Sequence, residues 1–598
     1  MDKNTVIGTL LLILVIFGYY SIYPPENIET NQEEKIENEL KPQTKIINSD
    51  TSKVQLKSEN YQKTQDSLNE KIFSIENNLV KLNVSNKGGF IGSVELKNFK
   101  RYDKDKLIIF DKDSSYFNLK LLTKNGLINS KDLFYESETK NIIVEQDNKE
   151  SLILKFKLSE NNYLEFIYTL EDNSYLVDFD INLNGFENII VQNQNLIDAE
   201  WKINYLSTEK SIDNERMYST IYYSEASEKG ASKISERKNT TKTIKNNLKW
   251  IGFKNQFFSS ILISEKGISK PITLTTNNSK TSEKYVKELQ ANFALSYGHR
   301  KNENKNLQFY FGPNDYKILK SFDNDFEKMI PLGWGIFGLV NKVLVIPCFN
   351  LLSSFISNYG IIILILTVFI KMLLFPFTFK SYVSQLKMKL IKPDIDAINE
   401  KYKEKEPMKA QQETMKLYSK SGVSPFGGCL PMLIQFPILI ALFRFFPASI
   451  ELRQQKFLWA DDLSSYDSIA SLPFEIPFYG DHVSLFTLLM TVSTIIYTKM
   501  NSQMTGGANQ MPQMKIIMYM MPIMFLGFFN NYAAALSYYY FIFNIMTFGQ
   551  QFVIKKYMIN ENDLMKQIEE KRSKPQKKSN FMKRLEEAQR QQRMKMKK

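Results

Sequence analysis

The chain has 598 residues, of which 43% are hydrophobic, with a mean hydropathy of -0.29 and a formal net charge of +13. These values exclude both a simple soluble domain and a wholly buried transporter, so the chain is partitioned, with room for a bundle of spans and at least one soluble domain. Cys348 and Cys429, the only cysteines, lie in apolar surroundings and exclude a disulfide framework or Cys-rich metal site, and His299 and His482, the only histidines, exclude a HExxH zinc site.

Both histidines read as surface or loop residues, and a histidine-based triad is disfavoured. The first apolar stretch, TVIGTLLLILVIFGYYSIY at 5–23, matches the roughly 20 residues that a helix needs to cross hydrocarbon. No A-x-A cleavage pattern follows it, so residues 1–24 read as an uncleaved anchor rather than a signal peptide. Residues 25–71 are polar, charged and nearly free of aromatics, the composition of a flexible linker.

From 72 to 325 the period changes. LVKLNVSN (79–86), SLILKFKLSE (151–160), YLEFIYTL (163–170) and YLVDFDINL (175–183) alternate apolar with polar, which predicts half-buried strands. Short strands separated by Asn, Gly, Asp and Ser clusters predict a large antiparallel sandwich. SNKGGF at 85–90 predicts a glycine-dependent hairpin, not a phosphate cradle, because no helical pattern follows it.

Residues 326–357 are apolar but interrupted by Asn341, Lys342, Pro347 and Asn350, which predicts a helix lying in the membrane interface with Trp334 at headgroup depth. The competing reading is a poor transmembrane helix. Five further spans are expected within 358–555, at 358–378, 426–448, 483–500, 515–530 and 532–554, giving a helical bundle of six spans plus the all-β domain. Ten lysines against six acids between Lys380 and Ser424 place that segment in the cytoplasm; Arg453 and Lys456 against six acids place Glu451 to Asp481 outside. The tail at 556–598 is then cytoplasmic, and 15 Lys and Arg against six acids from 555 to 598 agree. With the N-terminus also inside, 25–332 lie outside.

Within 380–423, Ile391, Ile395, Ile398 and Tyr402, then Met408, Met415 and Tyr418, recur at helical spacing, with EKEP at 404–407 between them. This predicts a cytoplasmic helical hairpin, either a solvated connector or a docking or gating element.

Lys371 interrupts the apolar run IIILILTVFIKMLLFPF at 361–377. A lysine near the bilayer centre costs about 2.5 to 3.5 kcal/mol on insertion scales and usually faces a bundle interior or wet cavity. Snorkelling requires a reach of six residues to Phe377, about 9 Å at 1.5 Å per residue. An internal ion pair lacks a partner, because the later spans hold no Asp or Glu. A water-filled recess is the expected environment, lined by Thr367, Gln435, Tyr540 and Asn544, each of which also fits ordinary interhelical packing.

GWGIF from 333, LTVFIKMLLFPFTFKSYVSQLKMKLIKPDI from 366, KSGVSPFGGCLPMLIQFPILIALF from 420 and MPIMFLGFFNNYAAALSYYYFIFNIMTFGQQ from 521 resemble the YidC/Oxa membrane-protein insertases. The anchor and large outer domain resemble the Gram-negative form, whose periplasmic domain is a β-supersandwich similar to sugar-mutarotase folds; that likeness implies shape, not sugar chemistry. The family carries a positive residue, commonly arginine, in a hydrophilic groove open to cytoplasm and lipid, and Lys371 matches its position. Charge is kept while the bidentate fork is lost. The resemblance implies that a nascent hydrophilic tail enters the groove, and that its apolar segment then slides into lipid past Phe436, Met518 and Met521. No nucleotide or other cofactor and no metal is implied, and no Walker loop is present. Nascent membrane proteins, the lipid bilayer, the Sec translocon and the ribosome are the implied partners, and no small-molecule substrate is. Lys571, Arg572, Lys577, Lys578, Arg593 and Lys595 of the basic tail suit rRNA phosphates or anionic lipid. Two rivals are a transporter or channel for an anionic solute, for which no duplicated halves are visible, and a carbohydrate-active outer domain on an anchor, which would need convergent acids in 72–325.

Overall fold

The computed structural model describes residues 69–139, 141–278, 282–402, 406–423, 430–505 and 512–573. The expected anchor at 1–24, nearly all of the linker at 25–71, and Lys577, Lys578, Arg593 and Lys595 lie outside them. The chain divides into a β-rich unit that ends at Pro313, with Asn324–Met329 added, and a helical unit made of Glu209–Ser211, Asn314–Asp323 and the chain from Ile330 onward.

The β-rich unit begins with the strand Ile72–Glu76 and its last strand is Asn302–Pro313, short of the expected boundary at 325. Its strands form a five-stranded and a 13-stranded sheet. Alternation sets the register: Tyr163–Glu171 pairs antiparallel with Leu176–Asn184, Phe166 opposite Ile181, while Glu165, facing the other side, stands opposite Asn182. Leu164, Phe166, Tyr168 and Leu170 are buried as the period of two demands. Phe179 centres an aromatic cluster, with ring centroids 4.7 Å from Tyr168, 5.3 Å from Phe117 and 5.4 Å from Phe309. Burying each such ring stabilises the unit by about 1.5–3 kcal/mol. The SNKGGF turn joins the strands Val80–Ser85 and Ile91–Lys100. Gly88 and Gly89 have φ of 83° and 64°, and a Cβ on Gly88 would lie 2.7 Å from the Phe90 ring, so glycine is required twice over.

A short helix, α1 (Ile212–Tyr218), is fixed by buried polar groups. The Glu215 carboxylate accepts from the Thr208 backbone N–H and hydroxyl, from Ser207 Oγ and from Asn255 Nδ2. Lys287 Nζ donates to the carbonyls of Arg216, Ser219 and Glu236, and Lys254 Nζ donates to that of Tyr218. The last turn of α1 thus meets two buried cations, the favourable sign at a helix C-terminus.

The helical unit starts at α2 (Tyr316–Ser321), N-capped by Asp315, whose carboxylate accepts from the N–H of Lys317 and Ile318. Next is α3 (Gly335–Ser353), continuous through a π-helical turn at Asn341–Val345. Ile336, Leu339, Val343 and Leu351 line its exposed side, while Asn341 is buried and donates to the carbonyls of Leu332 and Ala441. Then come α4 (Tyr359–Leu390), α5 (Lys392–Tyr402), α6 (Pro407–Ser421), α7 (Leu430–Phe445), α8 (Leu485–Thr505), α9 (Pro512–Asn530), α10 (Ala534–Val553) and α11 (Glu561–Ser573). Among the described residues, α3 and α4 are long and apolar enough to cross a membrane, and Leu433–Ala448 and Met518–Asn530 are shorter apolar helices.

Several details differ from the sequence reading. α4 does not stop near 378 but runs 32 residues to Leu390, because no proline or glycine interrupts residues 377–390. The hairpin is therefore α5 against α6, and Gly422 at φ 62° ends α6. Residues 561–573, expected as tail, form α11: Leu564 and Ile568 are buried, Ile568 against Met388, Ile391, Ile395 and Val423. His482 is no surface histidine; it is buried, with Nε2 2.9 Å from the carbonyl oxygen of Asn530.

Candidate functional site

α4 carries Thr367 and Lys371 one turn apart on one face, directed at α8 and α10. α10 presents Tyr540, Phe543, Asn544 and Thr547 at i, i+3, i+4 and i+7, again one face. Lys371 meets this second row. Its Nζ donates to Thr547 Oγ1 at 2.5 Å and lies 3.2 Å from the centroid of the Phe543 ring. Thr547 passes the bond on, its hydroxyl donating to the Phe543 carbonyl at 2.7 Å. Among the described residues no carboxylate is paired with Lys371, so the charge is held by a hydroxyl dipole and an aromatic face.

The amine is enclosed. Lys371 is 1% exposed, so the expected water-filled recess with the ammonium on its wall is not the arrangement found. A neutral hydroxyl and a ring face do the work assigned to water. The other expected lining residues divide. Thr367 is buried and its hydroxyl donates to Ile363 O of its own helix. Asn544 is buried and donates to Ser493 Oγ and Thr494 Oγ1, both at 3.0 Å, pinning α10 to α8. A second polar pair, Thr487 Oγ1 and Ser537 Oγ at 3.1 Å, ties the same helices. Gln435 and Phe436 on α7 and Tyr540 on α10 are half-buried, as are Met518 and Met521 on α9.

Thr547 and Phe543 were missed by sequence reasoning. The signal was present: Tyr540, Asn544 and Thr547 form a polar row at helical spacing in an otherwise apolar span. On α11, Arg572 is engaged internally rather than free, with Nη2 2.6 Å from Asp394 and Nε 3.0 Å from Ser421 Oγ. The side chain of Lys571 lies over Gly422.

Two family models match: YidC periplasmic domain over residues 73–346 and 60Kd inner membrane protein over 351–562. Proteins named membrane protein insertase YidC align nearly end to end. That of Parabacteroides distasonis is 41% identical, covering 99% of this chain and 98% of that protein. Those of Bacteroides fragilis and Porphyromonas gingivalis are 37% and 34% identical at the same coverages. A galactose mutarotase related enzyme from Lactobacillus acidophilus aligns with 40% of this chain and 97% of its own at TM-score 0.25 and 10% identity, too low to bear on function. A large β-rich domain, a helical region centred on a buried lysine, and relatives matching along the whole length agree: the chain belongs to the YidC family of membrane protein insertases.

Proposed function

We propose that the chain inserts nascent proteins into the inner membrane, and that Lys371 is the electrostatic element of the site that receives them. One observation carries the reading: a buried ammonium between α4 and α10 whose partners among the described residues, Thr547 and Phe543, are neutral. Such a charge offers spare donors to a client's acidic or polar flank, as a point charge rather than a fork. The enclosed amine is the resting state. A client's carboxylate or carbonyl exchanges with Thr547 Oγ1, and the polar row of α10 parts from α4. Gln435 and Tyr540 line the opened groove beside Thr367, while Asn544 keeps α10 in register with α8. The client's segment of roughly 20 apolar residues then leaves past Phe436, Met518 and Met521, driven by partition into hydrocarbon without nucleotide.

The proposed topology has six spans, with both termini, the α5–α6 hairpin and α11 in the cytoplasm and 25–332 in the periplasm, as the lysine distribution supports. The Sec translocon is a proposed partner, and the ribosome another, met through Lys577, Lys578, Arg593 and Lys595 more than through Arg572. Relatives that match end to end support an insertase over an enzyme or a solute transporter.

The test is a stalled nascent chain photo-crosslinked from position 435, together with Lys371→Arg, Lys371→Leu and Lys371→Glu. The arginine variant is expected to insert clients normally, and the other two to fail with at least some. Parental insertion by Lys371→Leu would remove the charge from the mechanism.

A further inference from the structure

The loop between α7 and α8 folds into a two-stranded ribbon, Ala470–Ile476 paired antiparallel with Gly480–Val483. It has no core of its own: every residue of the first strand except half-buried Leu472 is exposed. The pairing slips between Ser471 and Ile476, so the strand has no clean pair of faces, yet it leaves Phe474 and Ile476 exposed. The turn then throws Phe478 outward, 96% exposed, from a backbone at φ 68° that favours glycine.

This ribbon does not swing freely. Asn530, the last residue of α9, donates from Nδ2 to the carbonyls of Tyr479 and His482, and its Oδ1 accepts from the N–H of Ser484. Asn531 Nδ2 also donates to the Tyr479 carbonyl. The Phe478 carbonyl rests on Gly527, where a Cβ would come within 3.0 Å of it. Gly527 lies in the exposed stripe of α9 that contains Met520, Ile523, Met524 and Phe528 at helical spacing. It is three residues short of the end of α9, about 4.5 Å along the axis at 1.5 Å per residue. The turn thus sits against the apolar outer surface of a span, below that span's end.

We propose that the 470–483 ribbon is a membrane-interface wedge, with Phe474, Ile476 and Phe478 entering the acyl region of the periplasmic leaflet beside α9. The occupant is lipid because exposed Phe478, whose carbonyl rests on Gly527, continues the exposed apolar stripe of α9, with Phe474 and Ile476 exposed on the same ribbon. The inference rests on the proposed topology, in which α9 crosses the membrane with Asn530 at the periplasmic face.

The test uses the full-length chain in phosphatidylethanolamine/phosphatidylglycerol vesicles, with Cys348→Ser and Cys429→Ser as background. Phe478→Cys, Glu475→Cys and Met524→Cys each carry an NBD fluorophore, quenched by nitroxide lipids or by aqueous iodide. The expected result is several-fold stronger lipid quenching at 478 than at 475, approaching that at 524, with iodide showing the reverse order. Iodide quenching at 478 equal to that at 475, while 524 remains lipid-quenched, overturns the wedge alone. Protection of 478 from both quenchers means that protein covers it, and also overturns the wedge. Iodide quenching at 524 overturns the span on which the inference stands.

Discussion

A buried lysine in the β-rich unit and one in the helical unit are served differently. Lys287 gives its ammonium to three backbone carbonyls, of Arg216 at 3.0 Å, Ser219 at 2.7 Å and Glu236 at 2.7 Å. An ammonium has three donors, so this one is saturated. Lys371 is equally buried, yet among the described residues it meets one hydroxyl and one ring face. The two do not differ in burial; they differ in the acceptors they meet. Lys287 holds the last turn of α1 with all three donors used, whereas the proposed role of Lys371 requires donors beyond the one given to Thr547.

The largest expected effect is on the structural side. Lys287→Met removes one donor from each of three carbonyls, one of the bonds fully buried and two partly, at about 1 kcal/mol or more each, so the β-rich unit should lose about 3 kcal/mol. Urea unfolding of the full chain, followed by tryptophan fluorescence and near-ultraviolet circular dichroism, measures it. A loss under about 1 kcal/mol would mean that the saturated cation contributes little, and the contrast with Lys371 would fail.

Next in size is a pH effect in the same unit. Burial pushes the Lys254 ammonium down to about 7 and that of Lys287 down to about 8. Both folded values lie below the ordinary lysine value of 10.5, so between those values the unfolded chain binds more protons and stability rises with pH. Lys254 alone should contribute on the order of 2 kcal/mol between pH 7 and 9. Above pH 10 the trend should reverse, because burial raises the phenols of Tyr205 and Tyr116 and the unfolded chain then loses protons first. Unfolding midpoints across pH 6–9 test the rise, and Lys254→Met should flatten it.

For Lys371 the sign of the comparison inverts. Lys371→Leu deletes a single hydrogen bond and removes a charge that costs about 2.5 to 3.5 kcal/mol to place in hydrocarbon, so the helical unit should be no less stable. Insertion of clients with acidic or polar tails should nevertheless fall about tenfold, equivalent to about 1.4 kcal/mol. Thermal unfolding in detergent and an in vitro insertion assay, run on the same preparation, separate the two readouts. A variant that lost stability and insertion together would make Lys371 a structural lysine like Lys287.

The β-rich unit was legible because a period of two needs only one chain to state it: Tyr163–Glu171 and Leu176–Asn184 alternate in sequence and in burial alike. Lys371 was legible as an anomaly, since a fixed charge in an apolar run is costly wherever it sits. Its surroundings were not. Solvent and a threonine hydroxyl satisfy an amine by the same chemistry, and only the rotation of α10 against α4 decides that Thr547 arrives rather than Asn544. Nor does composition separate a basic tail from a basic helix. The apolar residues of α11, Leu564, Met565 and Ile568, are sparse among charges, and the helix is held by a surface on α4, α5 and α6 that local pattern does not reveal.

That surface gives the smallest expected effect, and it bears on which cations of the helical unit are free. Arg572 and Asp394 meet at 2.6 Å, but their side chains are 32% and 48% exposed, so solvent and salt screen the pair. Its contribution should be at most about 1 kcal/mol, with burial of Leu564 and Ile568 supplying most of the attachment of α11. Arg572→Glu should therefore loosen α11 only modestly, seen as faster amide hydrogen exchange over 561–573 and at the foot of the hairpin near Ile391 and Val423, and Asp394→Arg in the same chain should restore protection. Ile568→Ser should expose the same amides far more. If charge reversal released α11 as completely as Ile568→Ser, the ion pair would be the clamp, and Arg572 would rank with Lys287 as a committed charge. If it changed nothing, Arg572 would count as a free cation of the helical unit.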